Sequence, residues 1–335
     1  MSDLPLASII IPCYNAENFV AEAIQSALNQ TYDHVEVIVV DDGSTDRSIE
    51  IIRSFGDQVQ LETIDHQGAC AARNRGLQLS QGEFIQFLDA DDVLLPNKLA
   101  VQVPILQSGQ ADLVFCNGYL FGDERPQRPI KKLLNLPSPA GCDPFIYCLS
   151  NGFGTEGPLH RRTLLDKVKG FREGLAGGQE YDLHIRLGAV GARLTKLDAF
   201  LFQHRNHNSP NRITRTQKPP GFLVEMFIGL AKSLEKDFPE SLTSERQAAL
   251  AGKIFQSSIY AYRGGAEEIA NMGFKYAKEL SASFPYNERV FYKFLAHYLE
   301  PMVLENLLKQ ARSRRDSLRR FAQLVNPTFY RPTIR

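Results

Sequence analysis

Acidic residues gather at two places in this sequence. Asp41-Asp42 opens the turn Asp41-Asp42-Gly43-Ser44-Thr45-Asp46, and Asp89-Ala90-Asp91-Asp92 follows an apolar run over residues 84–88. Carboxylates held close together repel and raise one another's pKa, a cost that a bound cation removes. Their hard oxygens suit Mg2+ or Mn2+, which protein carboxylates commonly share with substrate phosphates. One Asp pair at a strand end more simply caps a helix or tightens a turn. Clusters on neighbouring strand ends of the same polarity point instead to a site for a cation and a phosphate. A third polar strand end, Pro12-Cys13-Tyr14-Asn15, belongs with them.

The surrounding pattern supplies such strand ends. Residues 7–11, 35–40, 59–64, 84–88 and 113–116 are short runs that read as strands, the second fully apolar after Glu36, as a strand buried on both faces should be. Between them, Phe19, Val20, Ala23, Ile24, Ala27 and Leu28 recur at helical spacing with Asn15 placed to cap, and residues 48–55 and 68–79 are further helices. Strand–helix units of roughly 30 residues predict βαβ crossovers, an α/β class and a mainly parallel sheet, whose ligands bind beyond the carboxyl ends of the strands. Residues 118–158 are dense in Gly, Pro and Asn and read as loops and edge elements. Residues 181–190 read as helix and 194–202 as strand, and the polar, Pro-rich stretch 206–221 as a boundary. Beyond it, residues 222–234, 244–262, 266–280, 286–299 and 303–324 carry helical patterns without strands, an appended α-helical region.

The run SIIIPCYNAENFVAEAIQSALNQTYDHVEVIVVDDGSTDRSIEII, followed by GACAARNRGLQLSQGEFIQFLDADD, resembles the nucleotide-sugar-binding half of the family-2 inverting glycosyltransferases. The likeness is close over residues 5–100 and looser to about residue 212. Pro-x-Tyr-Asn, Asp-Asp-Gly-Ser-Thr-Asp, Ala-Arg-Asn-x-Gly and Asp-Ala-Asp-Asp come in the family's order and spacing. The resemblance implies a Rossmann-like GT-A sandwich over residues 1–215, with a donor half over 5–117 and an acceptor half over 118–215, followed by the helical region 216–335. It implies an enzyme that moves a sugar from a nucleoside-diphosphate donor to a hydroxyl-bearing acceptor with inversion, in the synthesis of cell-surface polysaccharide, glycolipid or other glycoconjugate.

Carried over by position, Tyr14 packs against the nucleobase, with Pro12 and Asn15 shaping that wall. Asp42 accepts the base's ring N–H, Asp41 orients its turn, and Arg73 faces base or phosphate. These matches favour a UDP-sugar. Asp89 and Asp91 match the metal-chelating pair: Asp91 is the expected ligand of Mg2+ or Mn2+, Asp89 faces the ribose or a metal-bound water, and Asp92 is read as a cap for a helix opening near Pro96. The family's catalytic base lies in a Glu-Asp pair. Here Gln179 replaces the Glu and Glu180 stands at the Asp position, keeping the carboxylate with one more methylene, while Asp182 would point away along a helix. His207, in Gln203-His204-Arg205-Asn206-His207-Asn208-Ser209, matches a His that in some members approaches metal or diphosphate, though the Ser comes one residue early.

Other classes fit less well. In the 335 residues, Lys plus Arg and Asp plus Glu both total 38, which gives no support to nucleic-acid binding. No apolar stretch reaches the roughly 18 residues of a membrane span, and the start lacks the basic segment and cleavage site of a signal peptide. Cys13, Cys70, Cys116, Cys142 and Cys148 match no zinc spacing, so a reducing, cytoplasmic setting is expected. A sugar nucleotidyltransferase would carry a Gly-rich phosphate loop after the first strand, a dehydrogenase Gly-x-Gly-x-x-Gly, and a P-loop enzyme Gly-Lys-Ser/Thr, none of which is present. A catalytically silent nucleotide-sugar binder stays open through the altered Gln179-Glu180 pair. Near the C-terminus, Lys309, Arg312, Arg314, Arg315, Arg319 and Arg320 sit among Leu307, Leu308, Leu318, Phe321 and Leu324. Such a helix either lies peripherally on an anionic inner membrane surface or packs with a solvated charged face.

Overall fold

The computed structural model describes residues 4–122, 136–207 and 218–281, with residues 302, 303 and 306. The described residues fall into two compact units, drawn from Met1–Pro219 with Gly229–Arg246 and from Pro220–Ile228 with Gln247–Arg335.

The first unit alternates strand and helix from its start. β1 (Ala7–Cys13) leads to α1 (Val20–Leu28), β2 (Val35–Asp41) to α2 (Ser48–Arg53), and β3 (Gln60–Thr63) to α3 (Ala69–Leu79). β4 (Phe84–Phe87), β5 (Val93–Leu94), α4 (Lys98–Gln107), β6 (Leu113–Phe121) and α5 (Pro144–Ser150) follow, then β7 (Leu159–Arg161), α6 (Arg162–Lys167), α7 (Gln179–Ala189) and β8 (Leu194–Arg205). Their order across the sheet is β3-β2-β1-β4-β7-β6-β8-β5. β1, β2, β3 and β4 are mutually parallel, as are β6 and β8, whereas β7 runs antiparallel to both its neighbours and β5 antiparallel to β8.

Side-chain alternation explains why both sheet faces are covered. Ile9 and Ile11 of β1 with Val37 and Val39 of β2 face Val20 and Ile24 of α1, Ile52 of α2 and Leu99 and Val103 of α4. On the other face, Ile38 and Val40 meet Ala72 of α3. There a Cβ at Gly76 would come within 2.3 Å of Ile10 Cγ2, so α3 rides close to the sheet only because that position has no side chain. Each fully buried Ile or Val contributes about 1.5–3 kcal/mol. β1 lies between β2 and β4, so the chain reverses its order along the sheet there, and the crevice beyond the strand ends receives the segments after β1, β2 and β4.

Several expectations need correction. Asn15 does not cap α1. Its backbone has φ 48°, the helix begins at Val20, and the Asn15 Oδ1 accepts the Thr45 N–H at 2.8 Å. Asp92 is no cap either: Asn97 precedes α4, and Asp92 is fully buried. The tract 118–158, read as loops and edge elements, holds helix α5, and β6 runs on through Asn117-Gly118 to Phe121. The missing side chain at Gly118, where a Cβ would meet the Phe202 ring at 2.3 Å, lets β8 pair there across a register shift. The short strands β5 and β7 were not anticipated.

In the second unit, Gly273 of α10 (Glu267–Leu280) packs where a Cβ would clash with Ser258 of α9 (Ser244–Arg263) and with Val224, in the part of α8 (Phe222–Asp237) that belongs to this unit. Phe255 and Phe274 have ring centroids 5.0 Å apart. The helices expected over residues 286–299 and 303–324 lie outside the described residues, apart from helical residues 303 and 306.

Candidate active site

A cleft of ≈ 540 Å³ opens beyond the carboxyl ends of the parallel strands and is lined by Pro12, Tyr14, Asn15, Asp42, Arg73, Asp89, Asp91 and His207, among others. At one wall, Tyr14 is 39% exposed and its ring stacks on His66, with centroids 4.1 Å apart and planes 23° apart. Asn15 ties this wall to the turn after β2, since its N–H donates to Ser44 Oγ at 2.9 Å. Asp41 shapes the same turn by accepting the Ser44 N–H at 2.9 Å. The buried Asp42 carboxylate accepts the N–H groups of Gln67 and Gly68, each at 2.8 Å, and lies 2.9 Å from His66 Nδ1. A carboxylate offers about four lone-pair sites, so these contacts orient Asp42 without exhausting it.

Arg73, on α3, is 2% exposed and forms the wall between two acidic groups. Its Nη2 donates to Asp89 Oδ1 at 2.6 Å and lies 3.1 Å from Glu180 Oε1, while Nη1 donates to Gln179 Oε1 at 2.9 Å. Burial pulls the guanidinium pKa down, but Asp89 and Glu180 outweigh it and hold the pKa above its ordinary value. Arg73 therefore stays charged, and these donors face protein groups.

Asp91 Oδ2 accepts from His207 Nε2 at 2.8 Å, and the Asp91 carbonyl accepts from Arg205 Nε at 3.0 Å. Asp92 turns inward, accepting the Arg205 N–H and the His204 Nδ1–H at 2.7 Å each. Burial first, then the Asp91 charge, raises the Asp92 carboxyl, and burial followed by Asp92 raises that of Glu156. Among the described residues, the buried Glu156 Oε1 has no hydrogen-bond partner. Ligand atoms of Asp89, Asp91 and Asp92 lie within 4.8 Å of one another. A dense, hard-oxygen set with excess negative charge fits a divalent cation.

Beside Arg73, Gly178 takes a left-handed conformation (φ 69°) that turns the chain into α7, so that Gln179, which lines the cleft, and Glu180, which does not, occupy its first turn. Glu180 is partly exposed and its Oε1 meets both Arg73 Nη2 and Thr155 Oγ1. Asp182 points away from the site, fully buried between Arg172 at 2.7 Å and Arg186 at 2.8 Å. Thr155, Glu156 and His66 also belong to this neighbourhood and were not singled out from the sequence. They sit in irregular segments, where no periodicity or familiar motif marks them.

A mainly parallel sheet with acidic strand ends, followed by helices, is the GT-A glycosyltransferase fold, and it is shared with solved structures of that class. Residues 8–166 match the family model described as glycosyl transferase family 2. The Staphylococcus aureus protein TarS (residues 1–349, in complex with UDP-GlcNAc) superposes with a TM-score of 0.62 at 18% identity, covering 82% of this chain and 84% of that one. The mannosyltransferase PcManGT of Pyrobaculum calidifontis, in complex with GDP-Man and Mn2+, gives a TM-score of 0.52 at 18% identity over 93% of this chain and 87% of that one. In sequence, an uncharacterized glycosyltransferase of Haemophilus influenzae is 47% identical over 126 residues, 36% of this chain and 50% of the relative. The chain thus spans half the length of that curated relative. Among the described residues no helix is long and apolar enough to cross a membrane.

Proposed function

We propose that the protein is a metal-dependent inverting glycosyltransferase that moves a sugar from a UDP-sugar to a hydroxyl of a glycan, lipid-linked sugar or similar acceptor, within glycoconjugate or cell-surface polysaccharide synthesis. The observation that carries this reading is the Arg73 bridge, which sets Asp89 of the donor-side motif and Glu180 of α7 around one guanidinium at the edge of one cleft. UDP is favoured by the matched Tyr14 and Asp42 and by the UDP-GlcNAc held by the TarS structure; Arg73 instead braces Asp89, Glu180 and Gln179.

In this reading Tyr14, flanked by Pro12 and Asn15, offers an aromatic face to the base and Asp42 a carboxylate to its ring N–H. Asp91, with Asp89 and His207, would hold Mg2+ or Mn2+, which when bound supplies Lewis-acid neutralisation of the diphosphate leaving group. Glu180 takes the proton from the acceptor hydroxyl as it attacks C1 from the face opposite the diphosphate. The sheet unit supplies the donor half (residues 5–117) and acceptor half (118–215) of the transferase. The basic segment after residue 303 adds salt-sensitive attraction to anionic lipid, at the cytoplasmic face of a membrane.

The test is UDP release from a panel of UDP-, GDP- and dTDP-sugars with Mn2+, together with Glu180→Gln. Gln keeps size and polarity but removes the basic oxygen, so UDP affinity should hold while turnover falls roughly 10²- to 10⁴-fold. A Glu180→Gln protein with wild-type turnover places the base elsewhere. Tight UDP binding without transfer to any hydroxyl offered would make the chain a nucleotide-sugar-binding protein instead.

A further inference from the structure

Thr155 Oγ1 lies 3.2 Å from Asp89 Oδ2 and 3.2 Å from Glu180 Oε1. The one hydroxyl proton is shared between two side-chain acceptors distant in sequence, by 66 and 25 residues. A buried threonine whose only need is satisfaction commonly finds a nearby backbone carbonyl. This one instead joins the carboxylate of the donor motif to that of the acceptor side. Arg73 Nη2 spans the same two carboxylates. Both bridges meet on a single oxygen of Glu180, and among the described residues no hydrogen bond reaches its Oε2.

The segment carrying Thr155 is itself fixed from below. The Glu156 carbonyl accepts Gln86 Nε2 at 3.1 Å, and the Gly157 carbonyl accepts Gln102 Nε2 at 3.1 Å and Lys98 Nζ at 3.3 Å. Gln86, Lys98 and Gln102 are each fully buried. A hydroxyl on so constrained a backbone can hold a flexible Glu side chain in one rotamer, which is how a supporting shell pre-organises a reacting group.

We infer that Thr155 is a positioning residue for Glu180: its hydroxyl, together with Arg73, pins Oε1 and leaves Oε2 as the oxygen that faces the acceptor hydroxyl. The inference rests on reading Glu180 as the general base. Thr155 touches no substrate in this scheme and acts through the carboxylates it meets, chiefly Glu180 and also Asp89.

Full-length wild type, Thr155→Val, Thr155→Ser, Glu180→Gln and the Thr155→Val/Glu180→Gln double variant are compared by UDP release from UDP-GlcNAc and UDP-glucose with Mn2+, alongside UDP affinity. Val keeps the shape and loses the hydroxyl, so turnover at saturating donor should drop about 10- to 100-fold, the range of a hydrogen bond to a charged group, while UDP affinity changes by much less than turnover does. Ser restores the hydroxyl without the methyl and should recover most of that loss, which a folding defect at this position would not do. In the double variant the Val change should add nothing to the loss caused by Gln, because residues acting through one another are non-additive. Wild-type turnover in Thr155→Val, or a Val effect that multiplies fully with that of Gln, overturns the positioning role while leaving Glu180 as the base. Wild-type turnover in Glu180→Gln removes the base reading itself, and the inference falls with it.

Discussion

His207 Nε2 and Asp91 Oδ2 meet at 2.8 Å across 116 residues of sequence, joining the segment after β8 to the acidic strand end after β4. The pair sits on the cleft wall, with the His207 ring also 4.4 Å from that of Phe19. An imidazole anchored in this way can either pair with Asp91 or turn its ring nitrogen to a shared cation.

The first prediction follows from that pair. Asp91→Asn keeps the shape of the side chain but removes its charge, so it should weaken Mn2+-dependent UDP binding and abolish transfer, with the melting temperature little changed. His207→Ala should act in the same direction and more weakly. Isothermal titration with and without EDTA checks both, and full activity in EDTA would remove the metal from the reaction.

The nucleobase wall gives a second prediction. Base–aromatic stacking is worth about 1–3 kcal/mol by alanine substitution. Tyr14→Ala should therefore weaken UDP binding by about 5- to 150-fold and leave turnover at saturating donor nearly unchanged. Unchanged UDP affinity would mean that Tyr14 serves only its stack with His66.

Glu156 makes stability depend on pH. Burial and the neighbouring Asp92 raise its carboxyl pKa above the ordinary 4.5. The folded chain then keeps a proton that the unfolded chain releases above that value, so this group's contribution falls as pH rises, until the folded pair itself ionises. The loss is at most about 1.4 kcal/mol for each pH unit of the shift. Glu156→Gln stands in for the protonated acid and cannot lose that proton. In EDTA, thermal melts of variant and wild type should lie closest near pH 4 and separate at pH 7–8, the variant melting higher. A gap independent of pH would contradict the assignment.

Asp182 tests the reading that it is structural. It is fully buried between Arg172 and Arg186, and removing one member of a buried ion pair costs about 3–5 kcal/mol because the remaining charge is left uncompensated. Asp182→Ala should lower the denaturation midpoint strongly, while the folded fraction binds UDP as wild type does. Loss of UDP affinity without loss of stability would put Asp182 in the site.

The sequence was most legible where local pattern and tertiary role agree. β1 and β2 are mostly apolar, with Ile9–Ile11 and Val37–Val40 unbroken, because both faces are covered; Asp42 follows β2 and Asp89 comes two residues after β4, so these runs marked where the carboxylates would emerge. Thr155 and Glu156 show the opposite case. They lie between α5 and β7 in a stretch rich in Gly and Pro, and their places depend on Gln86, Lys98 and Gln102 reaching the backbone at residues 156 and 157 from other elements. No local spacing encodes a hydrogen bond made across 55 or 70 residues. Asn15 failed as a cap for a related reason. Its side chain is engaged by Thr45, thirty residues on, and a propensity argument sees only near neighbours.

β7, a strand of only Leu159, His160 and Arg161, pairs with β4 on one edge and β6 on the other. It is therefore the seam between the strand that delivers the Asp89 motif and β6, with β8 beyond it. A continuous ladder across that seam leaves no hinge between β4 and β6, so the two sides of the sheet do not behave as interchangeable cassettes. A chimera that grafts the first hundred or so residues of one relative onto the remainder of another must carry a matched pair of edges at residues 84–86 and 159–161. Otherwise the graft exposes unpaired backbone in the middle of the sheet rather than changing which sugar is transferred.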